Sequence, residues 1–437
     1  MRYSCLILLA VMRISTAPSL AQKYELEIIT PHYGGIQEEF ETAFNEHVGR
    51  EVRIRWIKQG TGELIQLLSA KDRAEPGASF GLDVFFGGGA PDHDLAASLG
   101  FFERFDLDES ILSGIPAEIA GVANYHRERL WYGAALSSFG IIYNKRGLAN
   151  QKLPEIKSWE DLAHPRMFSW VVIADPRKSS SVRVAYELIL QKYGWEKGWP
   201  MLMSIAANCR SIAPASSAIP NEVAGGDVLA GPCIDFYGYS QIAKAGADVM
   251  GYVNPPGGSA ITPDPISLLR KPPHRAMAER FISFVLSPEG QRLWVLPVGA
   301  EGGPKRHELR RLPVRPDVCQ TYADKMIIKD PYKQAGEGVF MMMDDELQSA
   351  RTVMLRDLMG AALVDLNSEL RSAWKAMING GMKPAAVAEW NKLPFSMKES
   401  LEISKQLSAG GSKARRITRA WIGDFAKKYK RIKRLSR

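Results

Sequence analysis

Three consecutive serines, at residues 179–181, stand where the sequence predicts that a buried strand gives way to a helix. The apolar run 170–173 predicts the strand, and residues 182–192 predict the helix. The first N–H groups of a helix lack partners within it and carry the positive end of its dipole, so they attract anions. Hydroxyl groups at this position, next to Arg177 and Lys178, predict either a helix cap or contact with an anionic ligand.

Other polar residues and glycines follow predicted strands in the same way. His32 and Tyr33 follow the run 24–30, and Asp235 and Tyr237 follow residues 228–234. Ligands bind open parallel sheets at the carboxyl ends of the strands, so these residues are candidates for one site. The complete predicted set is His32, Tyr33, Thr61, Gly62, Gly88, Ser137, Ser138, Ser179, Ser180, Ser181, Asp235 and Tyr237.

The elements that must position this set predict an α/β protein of two lobes, each a mostly parallel sheet flanked by helices. Residues 24–86 give a β-α-β-α-β pattern with a glycine-containing turn after each strand. The apolar segments 134–143 and 261–266 predict two strands that cross between the lobes. Two crossings predict a hinged clamshell that closes on a ligand.

The predicted organisation has four parts. Arg2, a short apolar run and the small-x-small sequence at residues 19–21 predict a signal peptide, cleaved after Ala21, and export to the periplasm. No later segment is apolar enough to predict a membrane span. The pairing of Cys209, Cys233 and Cys319 stays open. The predicted boundaries are 1–21 for the signal, 22–136 with 263–395 for lobe 1 including C-terminal helices, 137–262 for lobe 2, and 396–437 for a basic tail.

The positive net charge of +8 is concentrated in this tail. Residues 413–437 hold 11 of the 56 Lys and Arg residues but one of the 48 Asp and Glu residues. The rest is mildly acidic, which argues against nucleic acid as a partner. Apolar residues at helical spacing from Ala414 to Ile432 predict a basic amphipathic helix that contacts an anionic membrane surface or an acidic partner. A solvated terminus is the alternative.

The sequence contains none of the G-x-S-x-G, H-E-x-x-H or nucleotide-loop motifs that mark common enzyme sites. We therefore expect no catalysis and no resident cofactor. The alternative is a secreted enzyme, such as a transferase, on the same two-lobed fold.

Several motifs resemble extracellular solute-binding proteins of bacterial ABC importers, in the branch that includes ferric-ion-binding proteins. They are P-H-Y-G-G at 31–35, G-T-G-E-L at 60–64, L-D-V-F-F at 82–86, A-D-P-R-K-S-S-S at 174–181 and S-P-E-G-Q at 287–291. The resemblance implies the type II periplasmic-binding-protein fold. It also implies a monomer that binds a small solute between its lobes and delivers it to an inner-membrane ABC permease.

The resemblance leaves the ligand open. Iron-binding members use two adjacent tyrosines and an anion at a serine-containing helix start. These features fall here on Phe236 with Tyr237, and on residues 179–181. Tyr237 is a metal ligand only if the solute is iron, and Phe236 lacks the second phenolate. The expected ligands are a phosphorylated or other anionic organic solute, ferric iron as cargo, or a polyamine.

Overall fold

The structure is a computed structural model that describes residues 25–213, 215–408 and 411–437. The predicted signal peptide, residues 1–21, lies outside the described residues, so its cleavage stays a prediction. The strands are β1 Leu26–Thr30, β2 Ile54–Lys58, β3 Val84–Phe86, β4 Phe102–Glu103, β5 Glu118–Ile119, β6 Val122–Ala123, β7 Tyr132–Asn144, β8 Val171–Ala174, β9 Cys209–Ala213, β10 Ala230–Ile234, β11 Met250–Val253 and β12 Ile261–Leu269.

The helices lie between these strands and after the last of them. They are α1 Gly34–Val48, α2 Thr61–Ala74, α3 Ala90–Ser98, α4 Glu109–Leu112, α5 Lys145–Asn150, α6 Trp159–Ala163, α7 Ser180–Asn208, α8 Ile219–Gly225, α9 Asp235–Ala245, α10 Arg275–Leu286, α11 Pro288–Val295, α12 Pro316–Thr321, α13 Pro331–Gly336, α14 Asp345–Met359, α15 Asn367–Asn379, α16 Pro384–Asn391, α17 Met397–Ser408 and α18 Gly411–Leu435. Helix α7 is broken at Gly194, whose φ of 74° is not helical.

Ten strands form one mixed sheet in the order β2-β1-β3-β12-β7-β10-β8-β9, with β4 beside β12 and β11 beside β7. Strands β1, β2 and β3 are parallel, as are β8, β9 and β10. The two crossing strands, β7 and β12, are antiparallel neighbours between these groups. The predicted parallel half-sheets and both crossings are therefore present.

The sheet joins the two largest apolar cores of the described residues, one in each lobe. The first lobe packs β1, β3 and α1 against α10 and α11, with Phe40, Phe86 and Trp294 fully buried. The second lobe packs β8 and β10 against α7, around Trp159 and Trp199. Strand β7 is buried along its whole length and contributes residues to both cores. It therefore ties the lobes together at the level of Ser137 and Ser138.

Helices α14–α18 pack on the second lobe. The sequence analysis instead placed the helices up to residue 395 with the first lobe. Leu358, Leu370 and Trp374 belong to the second core. The buried pair Arg351–Glu187 joins α14 to α7, with Nη2 and Oε1 2.6 Å apart. Amphipathic spacing predicts that a helix has a buried side but not which core covers it, which explains the wrong assignment.

Helix α18 is part of this same core and not a separate tail. Trp421, Phe425, Tyr429 and Ile432 are buried, and the Tyr429 hydroxyl donates to the carbonyl of Ala362 at 2.8 Å. The apolar side that the sequence assigned to a membrane surface is therefore covered by the protein itself. Across the described residues, we find no helix with the length and apolar character that crossing a bilayer requires.

Candidate ligand site between the lobes

The carboxyl ends of the strands from both lobes meet beside the two crossing strands. Strand β1 leads to His32, β3 leads to Gly87, and β10 leads to Asp235 at the start of α9. The crossing strands, which are antiparallel neighbours, contribute Ser137 and Ser138 from β7, and Asp264 from β12. Polar groups from both lobes thus face one region.

Arg311 lies at the centre of this region and is 1 % exposed. Its Nη2 donates to the Ser137 hydroxyl at 2.7 Å and forms an ion pair with Asp264. Its guanidinium carbon lies 4.5 Å from the centre of the Phe236 ring, which the second lobe provides. Within the described residues, Nε and Nη1 of Arg311 have no hydrogen-bond partner. Buried, unpaired donors on a cation are costly, so these two nitrogens are poised to bind an anion.

Asp264 has an unpaired acceptor oxygen among the described residues. Its Oδ2 pairs with Arg311, whereas its buried Oδ1 has no partner. Burial raises the pKa of Asp264, although Arg311 opposes the shift. The site therefore offers unpaired donors and one unpaired acceptor within a single ion pair, which suits a solute with an anionic group and a hydroxyl.

Asp235 fixes the hinge strand to the second lobe. Its Oδ2 accepts the Ser138 N–H at 2.9 Å and the Ser138 hydroxyl at 3.1 Å, and its Oδ1 accepts the Phe236 N–H at 2.7 Å. With all these acceptor positions used inside the protein, Asp235 orients Ser138 and α9. The predicted residues Ser138 and Asp235 thus lie together at the site as a positioning pair.

We expect the Asp235 carboxyl group to make the free energy of unfolding depend on pH. Burial raises its pKa from 3.8 to about 6, against the hydrogen bond from Ser138 and the charge of Arg311. Because the folded protein then holds this proton more tightly than the unfolded chain, the contribution of Asp235 to the free energy of unfolding falls as pH rises from about 4 to about 6. We expect a slope of up to about 1.4 kcal/mol per pH unit from this group.

Urea unfolding at several pH values, with Asp235→Asn as the comparison, measures that slope. As pH rises across this interval, the free energy of unfolding of the parent protein should fall relative to that of the variant, because the variant cannot titrate at this position. Parallel pH profiles for the two proteins would show that Asp235 is not the group responsible.

His32, Tyr33 and Tyr237 surround Arg311. The His32 ring is buried against Phe86, with the ring centres 4.7 Å apart. Burial, aided by the charge of Arg311, lowers the pKa of His32 well below 6.5, so its imidazole is neutral at pH 7. Burial raises the pKa of the Tyr33 and Tyr237 phenols, although Arg311 favours their ionised forms. All three are thus neutral hydrogen-bonding groups near a cation.

Thr61, Gly62 and Gly88 lie at the ends of β2 and β3. Gly88 has a φ of 105°, and a Cβ there would come within 2.8 Å of the Thr61 methyl group, so this close approach requires glycine. Gly62 is exposed on the first turn of α2. The structure therefore brings Thr61 and Gly88 together.

The serine turn serves first as a helix cap. The Ser179 hydroxyl accepts the Val182 N–H at 3.4 Å, and Ser179 is buried. Arg177 is held by the carboxylates of Asp175 and Asp365, so its charge is neutralised within the protein. Ser180 begins α7, and Ser181 is half-buried one residue later. The contribution of these serines to ligand binding stays a prediction.

Arg311 is the residue that the sequence analysis missed. The Pro- and Arg-rich segment 300–335 suggests a surface loop, yet Leu309, Leu312 and Val314 are buried. The Leu136 N–H donates to the Leu312 carbonyl at 2.7 Å, which places this segment against β7. The available clue was the set of apolar residues around Arg311, but a buried arginine can be recognised only once Asp264 is known to face it.

No group of three or more His, Cys, Asp or Glu side chains is arranged to hold a metal ion in the part of the chain that the structure describes. The one tyrosine that the iron hypothesis retains, Tyr237, lies near a guanidinium. A cation beside the site disfavours a trivalent metal ion and favours an anion.

Comparisons with known proteins concern the family and the fold of this chain. A family model described as "Bacterial extracellular solute-binding protein" matches residues 78–298. The phosphoglycerate transport regulatory protein PgtC of Salmonella typhimurium is 29% identical over 292 residues, which cover 62% of this chain and 72% of that protein.

Solved structures show the same fold at lower identity. The periplasmic binding protein AfuA from Actinobacillus pleuropneumoniae, with exogenous fructose-6-phosphate bound, is similar with a TM-score of 0.60 and 19% identity, over 81% of this chain and 98% of that one. The apo ferric ion-binding protein A of Pasteurella haemolytica is similar with a TM-score of 0.60 and 15% identity, over 78% and 97%. These likenesses confirm the predicted type II two-lobed fold.

Proposed function

The chain belongs to the family of bacterial extracellular solute-binding proteins, and we propose that its solute is a small hydroxylated organic anion, such as a phosphate ester. The protein binds this solute between its lobes and presents it to an ABC permease. The observation that carries the proposal is the buried Arg311, whose Nε and Nη1 have no partner among the described residues.

Charge supports an anion over ferric iron or a polyamine. Bringing either cation next to the Arg311 guanidinium places like charges in a buried site, whereas an anionic oxygen supplies the missing acceptor. Phe236 also replaces one tyrosine of the iron-binding pair and packs against Arg311 at 4.5 Å. Both features favour the organic anion.

The unpaired Oδ1 of Asp264 supports a hydroxyl on the same solute. An inorganic anion without a hydroxyl group, such as sulfate, offers this carboxylate oxygen no donor, and two anionic oxygens would repel. A sugar phosphate or a phosphorylated hydroxy acid offers both an acceptor to Arg311 and a donor to Asp264. The relatives named for phosphoglycerate and solved with fructose-6-phosphate make these compounds suitable first probes.

Isothermal titration of the purified protein tests the proposal. We expect 3-phosphoglycerate or fructose 6-phosphate to bind with one-to-one stoichiometry and no turnover. The 2-deoxy analogue of 3-phosphoglycerate and sulfate, which lack the hydroxyl donor, should bind at least about tenfold more weakly, given the value of one buried hydrogen bond to a charged group. Ferric nitrilotriacetate should give no phenolate–iron absorbance band. An iron band without binding of any organic anion would refute the anion proposal, and turnover of a bound probe would favour the enzyme alternative.

The proposal includes three finer points. The mature protein begins after Ala21 in the periplasm, acts as a monomer, and needs no resident cofactor. The predicted signal sequence supports the first point. The bound solute is cargo for the permease, and so no group at the site has to perform chemistry.

A further inference from the structure

Helix α18 presents a strongly basic face to solvent. Its buried residues Trp421, Phe425, Tyr429 and Ile432 recur at helical spacing and define one side of the helix. Nine Lys and Arg residues from 413 onward are exposed on the remaining surface of this C-terminal segment: Lys413, Arg415, Arg416, Arg419, Lys427, Lys430, Arg431, Arg434 and Arg437. At 1.5 Å per residue, residues 413–434 extend this face over about 30 Å.

Most of these cations have no carboxylate partner within the described residues. Lys427 lies 3.8 Å from Asp424, and Arg431 lies 3.0 Å from Glu389. The described structure gives Arg416, Arg419, Lys430 and Arg434 no ion pair. The exposed side of the helix is therefore a row of mostly uncompensated positive charge, which we call the basic face.

We propose that the basic face of α18 docks the protein on the anionic headgroups of a phospholipid bilayer. The helix lies on the bilayer and does not enter it, because its apolar side is already buried against the second lobe. The attraction is electrostatic, so it weakens as salt screens the charges. Docking is independent of which solute the cleft binds.

The composition of the face favours a lipid surface over a protein partner. Protein interfaces depend on apolar and aromatic anchors that fill pockets. Between its cations, the exposed side of α18 offers small residues, such as Ser412, Ala420 and Gly423. A predominantly basic surface without apolar anchors suits a smooth anionic surface. A solute-binding protein that delivers to a membrane permease also works beside such a surface.

Vesicle co-sedimentation of the full chain tests the proposal. We expect binding to vesicles of phosphatidylglycerol and phosphatidylcholine at about 1:3, no binding to pure phosphatidylcholine, and loss of binding when ionic strength rises from about 0.05 M to about 0.5 M. The variant Arg416→Gln/Arg419→Gln/Lys430→Gln/Arg434→Gln should bind the anionic vesicles up to roughly 1,000-fold more weakly, at about 1 kcal/mol for each charge removed.

A matched control variant distinguishes an effect of the basic face from an effect of net charge alone. Lys58, Lys71, Arg73 and Arg127 are exposed on the first lobe, and changing all four to Gln removes the same charge. This control should bind vesicles like the parent, and thermal unfolding should show that both variants fold. Equal losses in the two variants, or unchanged binding by the α18 variant, would overturn the proposal. So would stronger binding to polyglutamate or duplex DNA than to anionic vesicles.

Discussion

Replacing Arg311 with methionine should lower the affinity for the anionic solute by about 100-fold or more. Methionine fills much of the same volume but removes the donors Nε and Nη1, which have no partner among the described residues. A hydrogen bond to a charged group contributes about 1.5–3 kcal/mol, and the solute loses two such bonds together with the attraction of the cation. Titration of 3-phosphoglycerate and fructose 6-phosphate into the variant measures the loss.

Two further variants show whether the loss of affinity is specific to the Arg311 guanidinium. Arg311→Lys keeps the charge with fewer and differently directed donors, so it should retain part of the affinity. Arg306→Met removes an exposed arginine on the same segment and should bind like the parent. If Arg311→Met binds the probes with unchanged affinity, and urea unfolding shows that it is folded, then Arg311 does not receive the solute.

The second large effect concerns stability. Arg351→Ala should lower the free energy of unfolding by about 3–5 kcal/mol, because it leaves the Glu187 carboxylate buried without its ion-pair partner. Both side chains are 3 % exposed or less, and Arg351 donates to both carboxylate oxygens at 2.6–3.1 Å. Urea unfolding monitored by tryptophan fluorescence measures the change.

A double variant distinguishes the buried charge from simple loss of packing. Glu187→Leu/Arg351→Met removes both charges and keeps apolar volume, so it should recover most of the lost stability. The exposed pair Arg104–Asp106 provides the reference, since Arg104→Ala should cost less than about 1 kcal/mol. A loss at Arg351 no larger than the loss at Arg104 would contradict the prediction.

Much of the fold was predictable because apolar β-branched runs and glycine turns are local features. The runs 24–30 and 134–143 became β1 and β7, with boundaries shifted by one or two residues. The cap of α11 is also a local feature, because the Ser287 hydroxyl accepts the Gly290 N–H. What local pattern could not predict was which core covers α14–α18, because that choice depends on contacts such as Arg351 with Glu187.

The candidate site was predictable only in part, for the same reason. Residues at strand ends, such as His32, Ser138 and Asp235, were predicted because topology alone gathers them at one edge. Arg311 belongs to no strand or helix, and its role depends on Asp264, 47 positions earlier in the chain. The serine turn resembled an anion site, but the second carboxylate that holds Arg177, that of Asp365, comes from the C-terminal helical region.

The attachment of α14–α18 to the second lobe has a practical consequence for measurement. The first described strand belongs to the first lobe, whereas the final helix is fixed to the second, so the two ends of the described structure report on different lobes. Donor and acceptor fluorophores fused to these ends would change their energy transfer when the solute draws the lobes together. The native chain order thus provides the layout of a biosensor without circular permutation.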